Sequence, residues 1–200
     1  MKVRLLLLPF FLLSLILPLA AQDEDVPPDY DGLLVRNDIT VTMRGGDLEI
    51  TVTVMDDRIT RFATKEIRDY LNKLIEDRLA DNRNYDPQDP KHPIPFLVNF
   101  RALGQEVRYE PQELVIYNYG QKYKPIEVIP VSPKFNDRVA YIRQPPVSAI
   151  YLFDRSIDLN AKDLTISYFG SLEFSNWIRI IEKVNEAKAN FQVFKARTKK

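Results

Sequence analysis

Between Phe96 and Tyr168 apolar and β-branched residues recur in short alternating runs, separated by turns rich in Pro, Gly and Asn. That period of two predicts antiparallel strands with one face turned to a core. Phe96, Val98, Phe100 and Ala102 share a face of one strand, Leu114 and Ile116 a face of the next, and Leu164, Ile166 and Tyr168 a face of the last. Val107 and Tyr109, Ile126 and Val128, Val139 to Ile142, and Val147 to Phe153 supply further strands. Pro111, Pro145 and Pro146 cannot donate a ladder hydrogen bond, so they fall between strands or at an edge.

Upstream, Ile39, Val41 and Met43 alternate with threonines before Gly45 and Gly46. A Gly-Gly loop tolerates the positive φ of a hairpin turn and predicts a register. Met43 then opposes Leu48, Val41 opposes Ile50 and Ile39 opposes Val52, while Thr42 faces Glu49 and Thr40 faces Thr51. One face is apolar and the other polar.

The period changes to 3.6 after Thr64, a plausible N-cap. Ile67, Tyr70, Leu71, Leu74, Ile75 and Leu79 form a stripe, which predicts a helix over 64–80 laid on the sheet. A surface loop follows from Asp81 to Pro95. A second helical pattern is expected over 172–194, after Gly170. Trp177, Ile180, Val184, Ala187, Phe191 and Phe194 form its stripe, with Phe174 and Ile181 widening it. That width suits docking on the chain's own core better than a narrow coiled-coil seam, the alternative being a dimer or partner surface. Arg179, Glu182, Lys183, Glu186 and Lys188 fall mainly off the stripe and are expected in solvent, and 195–200 is a basic tail.

Lys2 and Arg4 precede an apolar tract from Leu5 to Ala21, the layout of a secretory signal. Cleavage after Ala21 is the expected outcome; an uncleaved anchor is the alternative, since Leu19 is large for the third position back. Residues 22–31, acidic and with Pro27 and Pro28, read as a flexible spacer. A single domain over 32–194 is expected in the periplasm or outside the cell. Removing the first 21 residues takes away two of the 28 basic residues and none of the 28 acidic ones, leaving a net charge of about −2. Mixed charge of this kind excludes no fold, but gives no basic surface for nucleic acid. The chain has no Cys, so stability must come from a core, for which 11 Phe and 10 Tyr are ample.

The run Asn99, Leu103, Gly104, then Leu114, Gly120, Tyr123 and Pro125, later Leu152, Phe153 and Asp154, and finally Leu164, Ile166 and Tyr168, resembles the telokin-like, immunoglobulin-like domains of bacterial extracytoplasmic proteins. The resemblance covers roughly Phe96 to Tyr168 and rests on turns and core positions. It implies an immunoglobulin-like β-sandwich, and with the two helices read from periodicity the expected fold is mainly β, an immunoglobulin-like antiparallel β-sandwich with one inserted helix and one C-terminal helix. It also implies a non-catalytic exported module without a common ligand, and carries over no functional residues. The helix before Phe96 and the helix after Tyr168 depart from the family pattern.

Catalytic chemistry finds little footing. The single His92 lies between Lys91 and Pro93, and with no Cys a Ser-His-Asp or Cys-His site has no evident base. Asp81, Asp86, Asp89 and His92 could offer metal ligands, but spacing by three converges only on a helix, which Pro87, Pro90 and Pro93 forbid. An EF-hand fails because Arg83 and Tyr85 stand where acids are required and no glycine follows, and a phosphate-cradling loop fails because the only adjacent glycines, Gly45 and Gly46, belong to the hairpin. No metal and no cofactor is expected. A carboxylate hydrolase is the alternative function, since paired acids can be distant in sequence. The expected function is non-catalytic binding or scaffolding through an envelope protein partner, the chain being a monomer in preference to a dimer, with membrane contact only if the N-terminal tract stays uncleaved. Tyr117, Tyr119 and Tyr123, with Tyr109 nearby, are the candidate recognition residues, because tyrosine combines rigid apolar area with a polar tip.

Overall fold

In the computed structural model, residues 26–27 and 30–198 are described. The signal assigned to residues 1–21 and most of the spacer lie outside them. Among the described residues eleven strands form: β1 (Thr40–Gly45), β2 (Leu48–Val54), β3 (Ile94–Ala102), β4 (Glu106–Arg108), β5 (Leu114–Asn118), β6 (Gln121–Tyr123), β7 (Glu127–Pro130), β8 (Val139–Tyr141), β9 (Val147–Phe153), β10 (Thr165–Tyr168) and β11 (Leu172–Phe174). A single-turn helix α1 (Asp57–Thr60) and two longer ones, α2 (Lys65–Leu79) and α3 (Ile178–Thr198), complete the described chain with short 3-10 turns.

A five-stranded sheet runs β1-β2-β3-β9-β7 and a four-stranded sheet β11-β10-β5-β6, with β4 and β8 as a separate ribbon. All strand pairs are antiparallel. Strand alternation divides each sheet into two faces. The inner face of the larger sheet carries rungs such as Met43, Ile50, Phe100 and Val147, and Val54, Phe96 and Tyr151. Leu114, Ile116, Ile166 and Tyr168 of the smaller sheet belong to the same buried cluster. Phe100 and Tyr168 meet across the interface at a ring-centroid distance of 6.1 Å, and the Tyr151 hydroxyl donates to the Pro111 carbonyl at 3.1 Å. The chain is therefore mainly β, with antiparallel sheets in an arrangement consistent with a β-sandwich.

The first hairpin keeps the expected faces but not the expected partners. Met43 opposes Ile50 rather than Leu48, and Val41 opposes Val52 rather than Ile50. The two-residue loop is Gly46 and Asp47, with positive φ at Gly46, the glycine-first arrangement of a II′ turn. Gly45 serves packing instead: a Cβ there would lie 2.1 Å from Leu172 of β11. A shift of two residues leaves every side chain on its original face, which is why Val41 and Ile50 are both buried.

Helix α2 covers part of the outer face of the larger sheet. Leu97, Ile150 and Leu152 on that face are buried with Leu71 and Leu79 of the helix, and Arg78 donates to the Val131 carbonyl at 3.1 Å. Thr64 holds the N-cap position without a side-chain cap; the Asp31 carboxylate accepts from the Lys65 N–H at 2.8 Å in its place. The far end of the expected spacer is thus structural. Tyr30 is buried against Phe191 and Phe194, with centroids 4.9 and 5.1 Å away, and Val26 packs on the same core.

The second helix begins later than its periodicity suggested. Leu172 to Phe174 pair with β10 as a strand, because the loop around Gly170 returns the chain along the sheet edge before the helical run starts. Trp177, Ile180, Val184, Ala187 and Phe191 are buried against the chain's own core. Arg179, expected in solvent, instead donates to the carbonyls of Asn37 and Thr40 at 3.0 and 2.8 Å, meeting acceptors beside the edge strand β1.

The Ser167 hydroxyl in β10 is buried and has no hydrogen-bond partner among the described residues. An orphaned polar group carries its desolvation cost uncompensated, so Ser167→Ala is expected to raise unfolding free energy by up to about 1 kcal/mol. Urea denaturation would detect this as a higher midpoint at unchanged slope; a lower midpoint would show that the hydroxyl is satisfied.

Candidate functional site

The outer face of the larger sheet is covered by α2 on one side and polar on the other. Reading along β2, Thr53, Thr51 and Glu49 point to this face in turn. Thr53 pairs with Thr40, and their hydroxyls are 2.8 Å apart. The next rung is Thr42, Thr51, Asn99 and Ser148, contributed by four neighbouring strands. Asn99 donates to the Thr51 hydroxyl at 3.0 Å and accepts from the Ser148 hydroxyl at 2.6 Å, so the rung is locked by its own hydrogen bonds. The rung beyond is Arg44, Glu49 and Arg101.

Glu49 sits between its two arginines, accepting from Arg44 Nε at 2.6 Å and pairing with Arg101 Nη2 at 2.5 Å. Its carboxylate side chain is 6% exposed, whereas the arginine side chains are 66% and 48% exposed. Solvent therefore meets guanidinium groups held in place from beneath.

At the other end the polar strip runs into a cavity of about 380 Å³, lined by Arg36, Thr53, Glu66, Ile67, Tyr70 and Leu71. Ile67, Tyr70 and Leu71 recur at steps of three and four, so they share one face of α2. Thr53 supplies the sheet side and Arg36 enters from the 3-10 turn before β1. The Arg36 guanidinium lies 5.6 Å from the Tyr70 ring centroid, within range of a cation–π contact. Tyr70, expected within the core stripe, is 50% exposed and forms an aromatic wall. Thr53 and Glu49 are four residues apart on one strand, so cavity and arginine rung are separated by roughly 14 Å of continuous surface.

The tyrosines singled out by density do not converge. Tyr123 opposes Ile116 on the core-facing side of its sheet, while Tyr117 opposes Lys122 and points the other way. Strict alternation separates two residues whose closeness in sequence suggested a cluster. Tyr109 is buried, stacked on Phe100 at 4.3 Å, with its hydroxyl donating to the Phe135 carbonyl. Tyr119 stands alone at a hairpin tip, 70% exposed with φ of 50°, and its hydroxyl donates to Asp158 at 2.8 Å. That hydrogen bond, and the Asp158 charge, hold the phenol above its ordinary pKa.

Asp86 and Asp89 each accept from the backbone N–H two residues on, at 2.9 and 2.8 Å, forming Asx turns. His92 lies edge-on to Tyr85 at 5.0 Å, with Nδ1 2.9 Å from the Pro93 carbonyl. Among the described residues no group of three or more His, Cys, Asp or Glu side chains is arranged to hold a metal ion, and no helix is long and apolar enough to cross a membrane. No protein-family model matches the chain, nor does any curated protein or solved structure.

Arg36, Thr53 and Tyr70 at the cavity, and Arg44 and Arg101 beyond it, were missed by sequence reasoning as site residues. The alternation of β1 and β2 did mark their polar face; which polar face would border a helix groove depends on where α2 lands.

Proposed function

We propose that this is an exported, non-catalytic binding module of the cell envelope, built on an immunoglobulin-like sandwich of the telokin-like kind. Its binding surface is the strip running from the Tyr70 cavity to the Arg44 and Arg101 rung. The observation that carries this reading is the presentation of the strip: Arg44, Arg101 and Thr42 are exposed while Glu49 is sequestered beneath the two arginines. A carboxylate hydrolase would need two acids converging on one cleft, and Glu66 is the one carboxylate among the residues lining this cavity. Of the two buried acids among the described residues, Glu49 lies under its two arginines and Asp56 is already bound by Arg58 and Arg155.

Capture experiments from the native envelope fraction test the reading. Immobilised wild-type protein is expected to retain an envelope component that a Tyr70→Ala, Arg101→Gln double variant does not, with both proteins giving the same circular dichroism. Equal retention by the two would remove the strip as the binding surface. Turnover of a glycoside or ester substrate panel would overturn the non-catalytic reading.

A further inference from the structure

We infer that the strip takes an acidic glycan, an extended saccharide bearing carboxylate groups; this rests on the reading of the strip as the protein's binding surface. Three features of the surface, each matched to one part of such a ligand, lead there.

The first is the arginine rung. A guanidinium offers a planar fork of donors that fits carboxylate or phosphate oxygens in a bidentate manner. Arg44 and Arg101 are each anchored on one side by Glu49 and exposed on the other. Their orientation is fixed before a ligand arrives, which lowers the entropy lost on binding. Glu49 cancels one of the two charges but is shielded from anything outside, so an approaching anion meets the donors and not the carboxylate.

The second is the hydroxyl and amide rung. Thr42, Thr51, Asn99 and Ser148 lie on adjacent strands, about 4.8 Å apart. Side chains of this kind both donate and accept. A pyranose chain likewise presents groups that donate and accept, recurring at a comparable spacing. An apolar peptide would bring nothing for the exposed Thr42 hydroxyl to bond, which disfavours it.

The third is the cavity at the opposite end. The exposed Tyr70 ring gives a flat apolar face of the sort that packs on the C–H face of a sugar ring. Arg36 stands over that ring and adds a further donor, Glu66 being the single carboxylate of the lining. Across cavity and strip the arginines outnumber the carboxylates by three to two, and one of those carboxylates is covered.

Equilibrium binding of polygalacturonate, dextran and polyglutamate to the full chain tests this inference. Polygalacturonate is expected to bind and to weaken with rising salt, and dextran to show no binding. Arg44→Gln and Arg101→Gln, each leaving the other arginine to neutralise Glu49, should weaken polygalacturonate roughly tenfold or more, as loss of a charge-assisted contact does. Tyr70→Ala, at an exposed helix position that leaves the fold intact, should weaken it several-fold without changing the salt dependence. Polyglutamate binding as tightly as polygalacturonate would overturn the glycan assignment in favour of a plain anion site, and equal binding of dextran would overturn the acidic requirement. If no polysaccharide binds while envelope capture still depends on Tyr70 and Arg101, the ligand is a protein and this inference fails while the binding reading stands. If capture is also indifferent to those residues, the binding reading fails with it.

Discussion

Asp56→Ala is expected to lower the free energy of unfolding by about 3 kcal/mol, the low end of what is lost when a buried ion pair is broken. The Asp56 side chain is only 1% exposed. It accepts from the Arg58 N–H at 3.0 Å, from Arg58 Nε and Nη2 at 2.7 and 3.0 Å, and from Arg155 Nη1 at 2.5 Å. It also caps α1, so one residue ties the end of β2, the following helix turn and the loop after β9. The low end applies because both arginines are partly exposed and regain water once the acid is gone. Burial on its own would raise the Asp56 pKa, but the Arg58 hydrogen bonds and charge and the Arg155 charge outweigh it and hold the group below its ordinary 3.8. A carboxylate depressed in the folded state contributes stability at every pH above its unfolded value, and that contribution is lost as pH falls through the folded one. The gap between wild type and Asp56→Asn in urea denaturation should therefore be full at neutral pH and should shrink as the pH drops below 3.8. A gap that stays constant through acid would show that shape rather than charge is what Asp56 provides. Tyr85 offers a second readout. Its phenol is pushed up to about 12, first by burial and then by the charges of Asp56 and Asp57, so Asp56→Asn should bring its spectroscopic titration down.

What the sequence made legible follows from which forces are local. Alternation in β1, β2 and β3 is a local property, and it identified the buried faces correctly because period two is forced by the pleat. Register is decided partly by distant contacts. Two adjacent glycines at 45 and 46 looked like one turn, yet Gly45 is small because Leu172 approaches it from another sheet, a fact about residues far away in the chain. The start of α3 failed for a related reason: Leu172 and Phe174 fit a helical stripe as well as a strand, and pairing with β10 chose between them. Density in sequence is not density in space, and the tyrosines show it. Tyr117 and Tyr123 lie on opposite faces, while Arg36, Tyr70 and Arg101, scattered over three segments, share one surface with Thr53 and Glu49. Each was visible as a residue type. Their meeting depends on α2 crossing one side of a five-stranded sheet, which the helix periodicity alone leaves open.

Trp177→Ala is expected to cost roughly 3–5 kcal/mol, the range for removing a large aromatic side chain from a core. The indole is fully buried at the threshold of α3, and its Nε1–H donates to the Leu159 carbonyl at 2.8 Å. Trp177→Phe separates the two contributions. It keeps most of the apolar contact and leaves that carbonyl without its donor, a loss of about 1–2 kcal/mol. Deleting everything after Ser175 is more severe, since it removes Trp177, Ile180, Val184, Ala187 and Phe191 together and uncovers Tyr30 and Phe62, whose rings rest on Phe191. Several buried side chains at about 1.5–3 kcal/mol each match the whole stability of an ordinary domain, about 5–15 kcal/mol. The truncated chain should therefore be insoluble or loosely folded, with broad elution in gel filtration and collapsed dispersion in its amide NMR spectrum. The damage should also spread to the other terminus. Tyr30 is held by Phe191 and Phe194 on one side and, through its carbonyl, by Arg68 of α2 at 2.9 Å on the other. Losing α3 thus frees the segment that caps α2 through Asp31, and with it the helix that walls the Tyr70 cavity. A truncated protein that stayed monomeric, soluble and equally stable would instead make α3 a detachable arm, and the buried stripe an interface the chain can do without.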